Sequence, residues 1–247
     1  MEIKYPWGGF VVLELVEVTK SYNNKKNAVD NLSFSMEEGD ILGFIGTNGA
    51  GKSTTISMIA TLQKPDKGDI LWKGESILKN PRCIRKELGY VPQDIALFEN
   101  LTGMENLKFW GKSYHVPKSL LKERMEEVKE MMRLTTEQLK SKVSSYSGGM
   151  KRRLNIGAAL LHHPKLVIMD EPTVGIDVAS RKRIFEMIQK LNQQGTAILY
   201  TGHYMEEIEE MCNKICVMDL GRNMVFGTKE QLLQGTTLEK FYLSTIE

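Results

Sequence analysis

The stretch Gly46-Thr47-Asn48-Gly49-Ala50-Gly51-Lys52-Ser53-Thr54 has the residue types and spacing to hold a phosphate. Gly46, Gly51, Lys52 and Ser53 fill the pattern G-x-x-x-x-G-K-[ST]. Successive backbone N–H groups must curl around an anion there, and side chains at the glycines would obstruct its approach. Lys52 brings a point charge to the β- and γ-phosphates of a nucleotide, and Ser53 offers a hydroxyl to Mg²⁺. Two adjacent carboxylates, Asp170 and Glu171, form a second candidate. Asp170 is placed to hold Mg²⁺, directly or through water, and Glu171 to polarise an attacking water. An ordinary acidic pair at the end of a strand has the same spelling. The third candidate is Tyr146-Ser147-Gly148-Gly149-Met150, where Ser147 suits a helix N-cap whose free N–H groups favour an anion. Spacing alone does not separate that reading from a plain capped helix.

Each candidate needs an element behind it. Ile41 to Ile45 reads as a short buried strand, and Ser53 to Leu62 as a helix whose positive end faces the phosphates. Leu166 to Met169 is a continuous apolar run, as a central parallel strand requires, and it delivers Asp170-Glu171 at its carboxyl end. Lys151 through Leu161 has helical spacing behind Ser147. Val11 to Val18, Ile70 to Trp72, Leu88 to Val91 and Thr196 to Tyr200 read as further strands, with Ser21 to Asn27 as a polar turn. Leu32, Phe34 and Met36 alternate with Ser33 and Ser35, the sign of a strand with one buried face. Lys118 to Leu134 carries an apolar, Met-rich stripe that reads as packing. Helices are expected at Ala179 to Leu191 and Glu206 to Met211, a hairpin over Lys214 to Phe226, and a capped helix after Thr228. Strands alternating with helices imply a mostly parallel α/β sheet with antiparallel edges. The helical stretch at about 94–163 reads as an insert in a single domain over 11–247, behind a lead at 1–10 that has no clear period.

Composition sets the bounds. The chain has 247 residues, 41% hydrophobic and 26% charged, which is ordinary for a soluble globular protein. A net charge of +2 gives no electrostatic case for nucleic acid as a partner. No apolar run approaches the ~18 residues that span a bilayer, and the start of the chain argues against a signal peptide. Cys83, Cys212 and Cys216 are too few for a disulfide framework and suit a reducing compartment.

With these motifs in order, the chain resembles the ATP-binding cassette ATPases from about Val12 to Gln234. Gly46 to Thr54 matches the family's Walker A loop, and Leu166 to Glu171 matches Walker B with its catalytic glutamate. Tyr146 to Met150 is similar to the signature L-S-G-G-Q, in a form that looks like the export subgroup. Gln93 after Tyr90-Val91-Pro92 matches the Q-loop glutamine, Gly175-Ile176-Asp177 the D-loop, His203 the switch histidine and Tyr22 the aromatic that stacks on adenine. The departures are Met150 for the usual Gln, and Gly202 where Thr or Ser is common.

The resemblance implies a P-loop NTPase fold with an antiparallel β subdomain and a helical insert. It implies ATP and Mg²⁺ as cofactors, with Gln93 touching the metal and the attacking water, and His203 and Lys52 on the γ-phosphate. It implies two cassettes, identical or different, closed head to tail. Ser147, Gly148 and Gly149 of one then meet the phosphate held by Lys52 of the other, and Asp177 supports the partner's site. Separate transmembrane permease subunits would carry the cargo outward, with this chain peripheral on the cytoplasmic face of the cell membrane. The other reading is a soluble cassette acting on nucleic acid or ribosomes. Such proteins usually carry fused cassettes, long coiled-coil arms or zinc modules, and the sequence spells none of these.

Overall fold

A computed structural model of the chain describes residues 10–22, 26–202 and 204–246. In chain order the first elements are β1 (Val11–Tyr22), β2 (Lys26–Glu37), β3 (Ile41–Gly46), α1 (Lys52–Ile59), β4 (Lys67–Trp72), β5 (Glu75–Ser76), α2 (Arg82–Arg85) and β6 (Leu88–Val91). Four helices follow: α3 (Gly103–Ser113), α4 (Lys118–Met132), α5 (Thr136–Lys140) and α6 (Gly148–Leu160). The rest is β7 (Leu166–Met169), α7 (Val178–Gln193), β8 (Ala197–Tyr200), α8 (Met205–Met211), β9 (Lys214–Asp219), β10 (Arg222–Thr228), α9 (Lys229–Leu233) and α10 (Leu238–Ile246).

Two sheets form. The larger has the order β10-β9-β3-β8-β7-β6, parallel throughout except for the β9–β10 hairpin. The smaller is antiparallel, in the order β2-β1-β4-β5. Neighbouring side chains on a strand point to opposite faces, and the core divides accordingly. Ile41, Ile45, Val167, Met169, Ile198, Tyr200, Ile215 and Val217 pack on one side against α3, α4, α6, α7 and α8. Leu42, Phe44, Leu166, Ile168, Leu199, Cys216 and Met218 pack on the other, against α1 and the antiparallel sheet. The molecule is therefore layered: helices, parallel sheet, then α1 with the second sheet. Apolar runs in β3, β7 and β8 follow from this burial on both faces.

The expected turn at Ser21 to Asn27 is shorter than the polar composition suggested. Ser21 pairs with Asn27 and Tyr22 with Lys26, so the hairpin ladder continues to the edge of residues 23–25, which lie outside the described residues. Lys20 is satisfied by Asp66 at 2.8 Å, and the same carboxylate accepts the Ser21 N–H at 2.7 Å. Those bonds let a polar segment stay in a strand. The lead expected at 1–10 also falls outside the described residues, apart from Phe10. The last helix, α10, was not foreseen. It is anchored by Leu238, which is fully buried and whose N–H donates to Glu209 Oε2 at 2.8 Å.

Candidate functional site

The Gly46–Thr54 loop joins the carboxyl end of β3 to the start of α1. Gly51 sits at φ 105°, and a Cβ there would come within 2.3 Å of the Ala28 carbonyl oxygen, so no other residue fits. The loop closes on itself: the Ala50 N–H donates to Thr47 O at 3.1 Å and the Thr55 hydroxyl to Gly51 O at 3.0 Å. Lys52 Nζ folds back and donates to Gly46 O (2.7 Å) and Thr47 O (3.1 Å). Burial holds the Lys52 amine below its ordinary pKa, while Glu171 and Asp170 pull the other way. The first N–H groups of α1 have no partner within the helix and carry its positive end. Together with the lysine they form a donor set suited to a chain of phosphates.

The acidic pair follows β7. Thr201, just past β8, holds both of its members: its hydroxyl donates to Asp170 Oδ1 at 2.8 Å and accepts the Glu171 N–H at 2.9 Å. Glu171 lies in the left-handed region at φ 47°, a conformation that costs a non-glycine residue about 1 kcal/mol or more. Gln93, just past β6, donates from Nε2 to Glu171 Oε2 at 2.7 Å. Lys52, Gln93, Asp170, Glu171 and Thr201 thus come from the carboxyl ends of parallel strands, the edge where ligands bind in such sheets. Thr201 was missed; a hydroxyl one residue before Gly202-His203 was the available signal. His203 itself lies outside the described residues. Gly202 has a packing reason: a Cβ there would meet Tyr200 Cε1 at 3.0 Å, so the buried tyrosine takes the room a larger residue would need.

Other candidates lie elsewhere. Ser147 caps α6 and accepts the Met150 N–H at 3.3 Å, while Tyr146 anchors the approach by donating to Gln138 O at 2.5 Å. Gly149 packs on the start of α7, where Asp177 is the N-cap and accepts the Ser180 N–H at 2.9 Å. That bond lowers the Asp177 pKa. Gly149 therefore packs on the start of α7, while Gly148 beside it faces open space. The Tyr22 ring is exposed, with its hydroxyl donating at 2.5 Å to Gln63 beyond the end of α1, one helix length from the loop.

A family model described as ABC transporter matches residues 29–174, more than half of the chain. The chain belongs to the ABC transporter family. The cassette is 47% identical over 238 residues to the linearmycin resistance ATP-binding protein LnrL of Bacillus subtilis (strain 168), covering 95% of this chain and 76% of that protein. It is 38% identical over 224 residues to the Nod factor export ATP-binding protein I of Rhizobium sp. (strain N33), covering 91% and 73%. Among solved structures it superposes on the ATP-binding subunit of an ABC transporter with a TM-score of 0.87 at 28% identity, covering 96% of this chain and 100% of that one. The cassette has the ABC ATPase fold, and family membership carries ATP binding and hydrolysis with it. No helix among the described residues is long and apolar enough to cross a membrane.

Proposed function

We propose that the cassette powers a membrane transporter, most simply an exporter, by hydrolysing ATP beside separate transmembrane subunits on the cytoplasmic face of the membrane. The observation that carries this reading is the division of the candidate residues. Lys52, Gln93, Asp170 and Glu171 share one sheet edge, while Ser147, Gly148 and Gly149 start α6, with Gly149 packed on α7 and Gly148 open. A γ-phosphate held at the loop lacks those donors unless a second cassette, identical or different, supplies them head to tail. The names of the two relatives, one in resistance and one in export, favour outward transport.

Lys52 and the N–H groups of the loop bind and orient the phosphates, which removes the positional disorder of an in-line attack. Ser53, Asp170 and Gln93 are the residues that would hold magnesium, which when bound offsets charge on the β- and γ-phosphates. Glu171 orients the attacking water and takes its proton. Gln93 holds the Glu171 carboxylate by the 2.7 Å bond until a γ-phosphate competes for the amide. Ser147 to Gly149 of the second cassette, with His203, neutralise charge as it develops. Asp177 at the α7 cap supports the facing site, and Tyr22 gives its exposed ring to the base.

Glu171→Gln tests the reading. Phosphate release is expected to fall by about 100-fold or more, and ATP is expected to hold the variant as a dimer in light scattering. Hydrolysis at the parent rate would remove Glu171 from the role of base.

A further inference from the structure

Two side chains of α6 face the segment that carries Gln93. Arg152, 5% exposed, donates from Nη1 to Pro92 O at 3.0 Å and from Nη2 to Gln93 O at 2.7 Å. Asn155, 4% exposed and three residues along the helix, accepts the Ala96 N–H on Oδ1 at 3.1 Å. The two residues share a helix face because residues three apart are neighbours on a helix. Outside this grip, Lys151 Nζ meets the exposed Glu99 Oε1 at 2.5 Å, a surface ion pair of the kind that contributes little.

This grip sits between two things that matter for ATP. Beyond it, the Gln93 side chain reaches the carboxylate of Glu171. Behind it, α6 begins at Ser147, Gly148 and Gly149, three to five residues and about 4.5–7.5 Å along the axis from Arg152. A helix transmits displacement over that span because its backbone hydrogen bonds make it one body. The guanidinium is planar with a fixed fork of donors, so it can hold two successive carbonyls that a lysine cannot span. Stability alone is a weak account of the contact. A buried guanidinium loses hydration that two bonds to neutral carbonyls only partly return.

We propose that Arg152 is a positioning residue that couples the two half-sites of the cassette. When Gln93 leaves Glu171 for a γ-phosphate, the backbone at Pro92 and Gln93 shifts, and Arg152 carries that shift along α6 to Ser147–Gly149. Occupancy of a subunit's own site thereby sets how it presents its donors to its partner. The inference rests on the head-to-tail reading given above.

The test uses the full chain with Arg152→Ala, Arg152→Lys and, as a control on the same helix, Lys151→Ala. ATP affinity, kcat, KM, melting temperature and ATP-dependent dimerisation in a Glu171→Gln background are measured for each. Arg152→Ala is expected to keep its ATP affinity and KM while kcat falls about 10- to 100-fold. The ATP concentration that half-dimerises Glu171→Gln is expected to rise about tenfold when Arg152→Ala is added. Arg152→Lys, which keeps charge and bulk, falls between the two, and Lys151→Ala matches the parent. A folded Arg152→Ala with parental kcat and dimerisation overturns the coupling role. So does a kcat loss in Arg152→Ala and Arg152→Lys that only follows the fraction of folded protein. A Glu171→Gln parent that stays monomeric in ATP overturns the head-to-tail reading instead, and this inference with it.

Discussion

Gly148 and Gly149 are adjacent, yet alanine should affect them in opposite directions. A Cβ built on Gly149 would lie 2.1 Å from Ser180 Oγ and 2.6 Å from Ser180 Cβ, with Asp177 Oδ2 at 3.3 Å. Ser180 is buried in the first turn of α7 and cannot swing away freely. The contact must therefore be relieved by moving one helix start off the other, an overpacking cost of about 1–3 kcal/mol. For a chain of this size that lowers the melting temperature by roughly 2–4 °C per kcal/mol. A Cβ on Gly148 meets nothing within 4 Å. There the loss of glycine's unfolded-state freedom should stabilise the fold by about 0.4–1 kcal/mol. The same open face is where a phosphate from a second cassette would sit, so Gly148→Ala should melt higher and still hydrolyse ATP slowly. The assays are thermal melts, ATP turnover and a double-mutant cycle with Ser180→Gly, which should return part of the Gly149→Ala loss. A Gly149→Ala melt at or above the parent refutes the packing argument. Gly148→Ala at parental turnover refutes the phosphate argument while leaving the packing intact.

Other expectations can be checked alongside. Lys52→Ala should weaken ATP binding by about 2–3 kcal/mol, tens to a hundredfold in Kd by calorimetry, because a charge-assisted contact to phosphate is lost. His162 stacks on Tyr114 with centroids 4.1 Å apart, its Nε2 lies 3.0 Å from Leu88 O, and burial holds its pKa below the ordinary value. The unfolded chain therefore takes up the proton first as pH falls below about 6.5. Urea unfolding at pH 7.5 and pH 5.5 should show stability lost at the lower pH, and His162→Gln should flatten that difference. Burial pushes the Cys212 thiol up to about 12 and raises Cys216 as well, whereas Cys83 is only half-buried. A thiol reagent should label Cys83 alone in the native protein and all three cysteines in urea, and rapid labelling of a second thiol would contradict that burial.

The central strands and the phosphate loop were readable because their signals are local. An apolar run such as Leu166 to Met169 can only be buried on both faces, and Gly51-Lys52-Ser53 has a backbone requirement written into its residues. What escaped reading depends on contacts between distant parts of the chain. Arg152 looks like a solvated charge on a basic helix start until Pro92 and Gln93 are seen beside it, 60 and 59 residues away. Thr201 looks like strand filler until its hydroxyl is placed between Asp170 and Glu171. Gly202 reads only as a departure from Thr or Ser, while in three dimensions the ring of Tyr200 lies where a Cβ would go. Ser21 and Tyr22 carry turn-like composition, and only the register with β2 assigns them to a strand.

The position of β3 has a consequence for synthesis. Its two neighbours in the sheet are β8 and β9, and the Thr47 hydroxyl donates to Asp219 at 3.2 Å, 172 residues further along. The ribosome therefore releases the phosphate loop long before anything exists for its strand to pair with. The first of those neighbours, β8, starts about 150 residues after β3 ends, so at about 5–20 residues per second the wait is roughly 8–30 s. Through that interval β3 is an apolar strand with both edges bare, the kind of segment that seeks another chain. The nascent protein must shelter it in the meantime, with the antiparallel sheet and α1 as the partners already made. A chain halted before Lys214 would carry the complete loop sequence and still lack the strand that seats it.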